Sequence, residues 1–199
     1  MEQILEIGNE FIIWLQSFGD GLTPVMKGFS YLGIEEFFIL FLVCVWAVNY
    51  RLSIKLGIML MLSSSTNVFF KTLFAQPRPY WTDTRVVNTW GAESSFGLPS
   101  GHSQTPLSLY GLLAAKLKKR WFTILVVIIV FLIGFSRVMM GVHFPTDVLV
   151  GWAVGGLLLW LFLKFESKVK NWFNKNSVTK NILVIVYDLF LIKLMRILS

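Results

Sequence analysis

One cysteine, two histidines and eleven acidic residues are all that this chain of 199 residues holds of the groups that most often do chemistry. The lone Cys44 lies within an apolar run, so it forms no internal disulfide and says little about redox compartment. No Cys pair stands at metal-ligand spacing, and neither His-Glu-x-x-His nor a Gly-rich loop ending in Lys-Ser/Thr is present, which removes the common zinc and nucleotide motifs. The N-terminus opens on Glu2, Glu6 and Glu10 rather than on a basic region, and no apolar run follows directly. No cleavable signal peptide is expected, and insertion is expected to rely on the first spanning helix. Charge is scarce too: only 15% of residues carry it.

Apolar residues fill the gap. They make up 55% of the chain, with 18 Phe and 8 Trp, more than a soluble fold of this size needs. The expected fold class is an all-α polytopic membrane helix bundle. A net charge of +7 would suggest nucleic acid in a soluble protein, but most cations here sit between apolar segments, as cytoplasmic loop anchors do. No nucleic-acid partner is expected, and no obligate protein partner is evident. The expected organisation is a single membrane-embedded domain over 1–199. It comprises an amphipathic N-terminal segment (1–32), a catalytic helix core (33–165), and a basic linker with a last helix (166–199).

Within 2–18, Ile4, Leu5, Ile7, Phe11, Ile12, Trp14 and Leu15 fall largely on one helical stripe, which suits a helix at the membrane interface. Gly19-Asp20-Gly21 ends it, and Pro24 permits a short second helix to about Tyr31. Spans are expected at 37–49 (extended by Ile34), 56–74, 103–117, 121–140 and 145–165. A sixth at 182–198 is weakened by Asp188, Lys193 and Arg196, so the expected count is five to six. The Ser63-Ser64-Ser65-Thr66-Asn67 patch fits only against other helices, and Gly151-x-x-x-Gly155 favours close packing. The long 75–101 loop, rich in Pro, Trp and Gly, is more than a connection.

Three polar clusters interrupt the apolar runs: Lys71 to Arg78-Pro79, then Pro99-Ser100-Gly101-His102, then Ser136-Arg137 followed by His143 and Asp147. Such groups are costly beside lipid and mark function by default. If the spans alternate direction, all three clusters arrive on one membrane face. The opposite face carries eleven Lys and Arg residues from Arg51 to Lys180, so the positive-inside rule turns the clusters outward. An inner-membrane site facing the periplasm or exterior is expected, or a lumenal one in a eukaryotic cell.

Taken singly, each cation is a snorkelling anchor and each histidine an interfacial residue. Together they suggest a phosphate site. Lys71, Arg78 and Arg137 suit an anion whose oxygens Arg recognises with paired donors. Ser100-Gly101-His102 leads into a helix whose first amides form an anion cradle, and Gly101 lets the backbone come close. Asp147, four residues after His143 and beyond Pro145, can reach back to the imidazole, fix its tautomer and raise its nucleophilicity. The bland alternative is a capping Asp beside an interfacial His. Two histidines and one acid among three cations make a poor zinc site, so no metal and no cofactor is expected.

Lys71-x6-Arg78-Pro79, Pro99-Ser100-Gly101-His102 and Ser136-Arg137-x5-His143-x3-Asp147, in this order, resemble the signature of the type-2 phosphatidic acid phosphatase superfamily. The resemblance covers 71–147, and every motif position is intact. It implies an integral-membrane lipid phosphatase with a six-helix core, a pattern from which the amphipathic N-terminus and doubtful last span depart. It also implies roles. His143 would attack phosphorus with Asp147 orienting it, and His102 would protonate the leaving oxygen. Lys71, Arg78, Ser100, Gly101 and Arg137 would hold the phosphoryl oxygens. The expected reaction is hydrolysis of a lipid phosphate or diphosphate, such as phosphatidic acid, phosphatidylglycerol phosphate or a polyprenyl diphosphate. A lipid phosphotransferase using the same phosphohistidine intermediate that the resemblance implies, and a non-enzymatic lipid-binding or transport protein, are the alternatives. Asp83, Arg85, Glu93, Trp81 and Trp90 are head-group candidates or interfacial belt residues.

Overall fold

The computed structural model describes residues 2–18 and 20–175. Among the described residues, eight α-helices follow one another: α1 (Glu2–Gln16), α2 (Thr23–Tyr31), α3 (Glu35–Val48), α4 (Tyr50–Phe74), α5 (Pro79–Thr82), α6 (Gly101–Leu117), α7 (Arg120–Met139) and α8 (Pro145–Lys175). No strand occurs among the described residues. Helix boundaries follow local chemistry. Pro24 lies in the first turn of α2 and Pro145 opens α8, positions where a missing N–H costs no helical bond. Asn49 caps α4 by accepting from Leu52 N at 3.1 Å. Both α4 and α6 end on a left-handed residue, Ala75 and Lys118, whose N–H returns to the last turn.

The bundle is apolar outside and carries a polar group of side chains within its apolar core. Leu40, Val43, Val68, Phe69, Val127 and Leu157 are exposed, whereas Ser63, Asn67, Gln104, Thr105 and Ser108 are buried. Hydrocarbon is the natural solvent for such an exterior. The buried polar groups hold α4 to α6. Ser63 Oγ lies 2.9 Å from Thr105 Oγ1, Gln104 Nε2 donates to Ser63 O at 2.8 Å, and Asn67 Nδ2 donates to Gln104 Oε1 at 3.0 Å. The Ser-rich patch therefore faces another helix, as its composition requires. Gly151 and Gly155 bring α8 onto the start of α6. A Cβ at 151 would come 2.7 Å from Ser100 O, and one at 155 would come 2.5 Å from Gln104 O.

By length and apolarity, three stretches can cross a bilayer: Tyr50–Thr82, Arg120–Met139 and Pro145–Asn171. The pair α2 and α3, bent by 50°, makes a fourth if it is one broken span. The expected five to six also includes α6, which runs from the His102 turn to the basic cluster and is short for a span. Helix α6 has 17 residues, about 25 Å at 1.5 Å per residue, short of a hydrocarbon core of about 30 Å. Its basic cluster does not lengthen it, because Lys118 turns the chain. The segment at 182–198 lies outside the described residues, as does the part of 166–199 beyond residue 175.

Helix α1 is amphipathic but does not float free. Ile12 and Leu15 are buried against Val86, Val138, Phe144 and Val148, while Ile7, Phe11 and Trp14 are exposed. Gln16 Nε2 donates to Val87 O at 2.7 Å and Met139 O at 3.1 Å, and Asn9 Nδ2 donates to Thr82 Oγ1 at 3.1 Å. One stripe of α1 thus supports the 79–89 segment and the turn after α7, and its other apolar side chains face outward.

Candidate active site

Four helix ends meet at one end of the bundle: the last turns of α4 and α7 and the first turns of α6 and α8. Proline 145 starts α8 so that Asp147 falls in the first turn, where its carboxylate points back along the chain. Asp147 Oδ2 accepts the Phe144 N–H at 2.9 Å and lies 3.3 Å from His143 Nδ1, while Oδ1 accepts from Gln76 Nε2 at 3.0 Å. Glycine 97 leaves room for this carboxylate, since a Cβ there would come 3.0 Å from Oδ2.

The far nitrogen of the same ring defines its protonation. His143 Nε2 is 3.2 Å from Arg78 Nη1. A guanidinium only donates, so Nε2 accepts and carries the lone pair, and Nδ1 carries the proton that points to Asp147. Burial, and then the charges of Arg78, Arg137 and Lys71, hold this imidazole well below its ordinary pKa. His143 is therefore neutral, with a free electron pair aimed among cations. Its loop is tied to α7 by the Val142 and His143 amides, which donate to Arg137 O at 3.2 and 3.3 Å.

Arg78 and Arg137 are fully buried. Arg78 donates from Nε to Ser95 O at 2.7 Å, from Nη1 to Val142 O at 3.0 Å, and from Nη2 to Ser95 Oγ at 3.0 Å. It also pairs with Glu93 Oε2 at 2.5 Å. Arg137 donates from Nη1 to Ser30 Oγ at 2.8 Å, pairs through Nη2 with Glu93 Oε1, and stacks on the Trp90 ring at 4.8 Å. Lys71 Nζ donates to Ser95 Oγ at 2.9 Å. Three cations thus face two carboxylates, Glu93 and Asp147, and the surplus positive charge suits a further anion.

At the head of α6, Ser100 N donates to Asp147 O at 3.0 Å, which joins the turn to the first turn of α8. Ser100 Oγ accepts from Ser103 Oγ at 3.1 Å. The amides of Gly101 and His102 come next, in positions without acceptors inside the helix. Gly101 also admits the Asn67 side chain beneath the turn, since a Cβ would come 3.1 Å from Asn67 Oδ1. His102 Nε2 is buried with no hydrogen-bond partner among the described residues, and Trp90 meets its ring edge-on at 5.9 Å. A ring nitrogen left uncommitted can bond to a ligand in the site.

All of Lys71, Arg78, Ser100, Gly101, His102, Arg137, His143 and Asp147 thus gather at this end. Of the head-group candidates, Glu93 and Trp90 reach the site. Asp83 and Arg85 instead pair with each other at 2.7 Å and with Glu10 on the exposed surface, and Trp81 packs against Tyr80 and Phe96. Gln76, Tyr80, Ser95 and Ser30 also line the site, and only the proximity of Gln76 to Arg78 in sequence hinted at one of them. Among the described residues, no group of three His, Cys, Asp or Glu side chains is placed to hold a metal ion.

The profile of the PAP2 superfamily matches residues 52–171. Phosphatidylglycerophosphatase B of Bacillus subtilis is 35% identical over 170 residues, covering 77% of this chain and 80% of that protein. An undecaprenyl-diphosphatase of Sulfolobus acidocaldarius is 30% identical over 117 residues, covering 57% of this chain and 56% of its own length. Among solved structures, the transmembrane PAP2-type phosphatidylglycerolphosphate phosphatase of Bacillus subtilis superposes with a TM-score of 0.74 at 26% identity, over 85% of this chain and 89% of that one.

Proposed function

Because the chain belongs to the PAP2 superfamily and is a lipid phosphatase of that type, we propose that it works without metal, through a phosphohistidine on His143. The observation that carries this is the neutral His143, with Nδ1–H directed to Asp147 and its Nε2 lone pair set beside Arg78. Nε2 attacks phosphorus and the phosphorus–oxygen bond to the lipid breaks. His102 delivers a proton to the departing oxygen. Positive charge that develops on the His143 ring is stabilised by Asp147, which Gln76 and the Phe144 amide hold in place. Lys71, Arg78, Arg137 and the amides at Gly101 and His102 bind the phosphoryl oxygens, and more tightly as charge accumulates on them. Water, deprotonated by His102, then cleaves the N–P bond and releases inorganic phosphate.

The substrate class is a lipid carrying a terminal phosphate. Phosphatidylglycerol phosphate heads the assay panel because the Bacillus subtilis relative is aligned over most of both chains. Phosphatidic acid and a polyprenyl diphosphate complete it. Phosphate release is expected to fall on titration with orthovanadate, which adopts the trigonal-bipyramidal shape of the transition state, and to persist in EDTA. Activity lost on chelation and restored by a divalent metal overturns the metal-free route.

The site faces outward in this proposal, at the periplasmic or exterior side of a cell membrane. Support comes from α6: the chemistry sits at its His102 end, and Lys116, Lys118, Lys119 and Arg120 cluster at and beyond its other end. With the exposed Cys44 replaced by Ser, Thr84→Cys is expected to react with an impermeant maleimide on intact cells, and Lys119→Cys only after permeabilisation. The reverse labelling pattern places the chemistry in the cytoplasm.

A further inference from the structure

The segment from Glu93 to Phe96 already satisfies the cations that a phosphate would use. Glu93 places one carboxylate oxygen on Arg78 and the other on Arg137, and Ser95 Oγ accepts from both Lys71 and Arg78. The carboxylate bridges two fully buried guanidiniums while remaining partly exposed itself. Its backbone is fixed as well. The Tyr80 hydroxyl accepts the Glu93 N–H at 3.1 Å and donates to Glu93 O at 3.2 Å. Just upstream, Asn88 closes a turn on the Trp90 and Gly91 amides, at 3.0 and 3.1 Å.

We propose that Glu93 is a specificity-determining residue, an internal carboxylate that occupies the phosphate seat until a phosphate monoester replaces it. This rests on the phosphate-binding role given above to Arg78 and Arg137. A carboxylate offers two oxygens and one negative charge. A phosphodiester head group offers the same, so it gains nothing by displacing Glu93. A terminal phosphate brings three oxygens and up to two charges, and so adds bonds to Lys71 and the α6 amides that a carboxylate cannot make. The bilayer around such a site is rich in phosphodiester lipids, which an open pocket of three cations would bind. Glu93 excludes them by competition, so discrimination comes from an occupant that only the right ligand outbids.

The test uses full-length protein in neutral detergent, with orthophosphate as the probe and binding read by calorimetry, so that turnover is not required. Glu93→Gln keeps the shape of the side chain and removes its charge. It is expected to bind orthophosphate about tenfold more tightly than the wild type, within the range by which one occupant alters the affinity of another. Phosphatidylglycerol in the micelles is expected to weaken that binding in the variant and not in the wild type. Tyr80→Phe, which frees the Glu93 backbone without touching charge, is expected to shift affinity the same way by less, and it decides the matter if Glu93→Gln does not fold. Equal or weaker orthophosphate binding in the variants overturns the proposal and makes Glu93 a brace for the arginines. Tighter binding with no new sensitivity to phosphatidylglycerol also overturns it. If the wild type and both variants all fail to bind orthophosphate, the phosphate seat itself is wrong and the proposed function falls with it.

Discussion

His143→Ala is expected to cut turnover by about 10⁶-fold, the scale seen when a covalent enzyme loses its nucleophile. The loss should be chemical rather than structural. The Val142 and residue-143 amides still donate to Arg137 O, and Asp147 keeps its bonds from Gln76 and the Phe144 amide. Orthophosphate should therefore still bind, because Arg78, Arg137 and Lys71 remain. Phosphate release from phosphatidylglycerol phosphate micelles, measured beside orthophosphate affinity, separates the two effects. Near-normal release by a folded His143→Ala protein removes the phosphohistidine from the mechanism.

Arg137→Lys is expected to cost roughly 10²–10³ in kcat, comparable to removing one preorganised donor from a transition-state site. Charge is kept, so a purely electrostatic role predicts a small effect. Arg137 does several things at once, however: one arm donates to Ser30, another pairs with Glu93, and the flat face lies on Trp90. An ammonium on a flexible stem cannot hold all three, and the misplacement should appear mainly in kcat. Steady-state kinetics on detergent-solubilised protein provide the check. A variant with wild-type kcat would show that Arg137 acts as a point charge.

The helix bundle and the meeting of the polar clusters at one end were legible in the sequence because their signals are local. Apolar runs mark helices, and Lys71, His102, Arg137 and Asp147 lie at helix termini, so alternation of direction was enough to bring them together. What escaped depends on the path of the chain between helices. Ser30 meets Arg137 across 107 residues, and no pattern in a short apolar helix marks it as a partner for a buried guanidinium. Glu93 was named only as one of five head-group candidates in a polar loop, without its partners. Its bridge between Arg78 and Arg137 exists because Tyr80 holds its backbone, a contact that spacing does not encode. Helix α6 is short for a span because its first turn is spent on the site and Lys118 stops it early.

Where α8 rests on α6, the absence of side chains at 151 and 155 leaves the two backbones touching at Ser100 O and Gln104 O. The same Ser100 gives its N–H to Asp147 O, so packing and chemistry share a residue. A single methyl at 151 would press on the turn that heads α6 and, through it, on the carboxylate that orients His143. Mutational freedom is therefore unevenly distributed. The floor of the site is frozen for want of room, whereas the stretch between Asp83 and Asn88 leans on α1 and open surface. Exchanges at the exposed Thr84 and Val87 are therefore expected to be tolerated where a methyl at 151 or 155 is not.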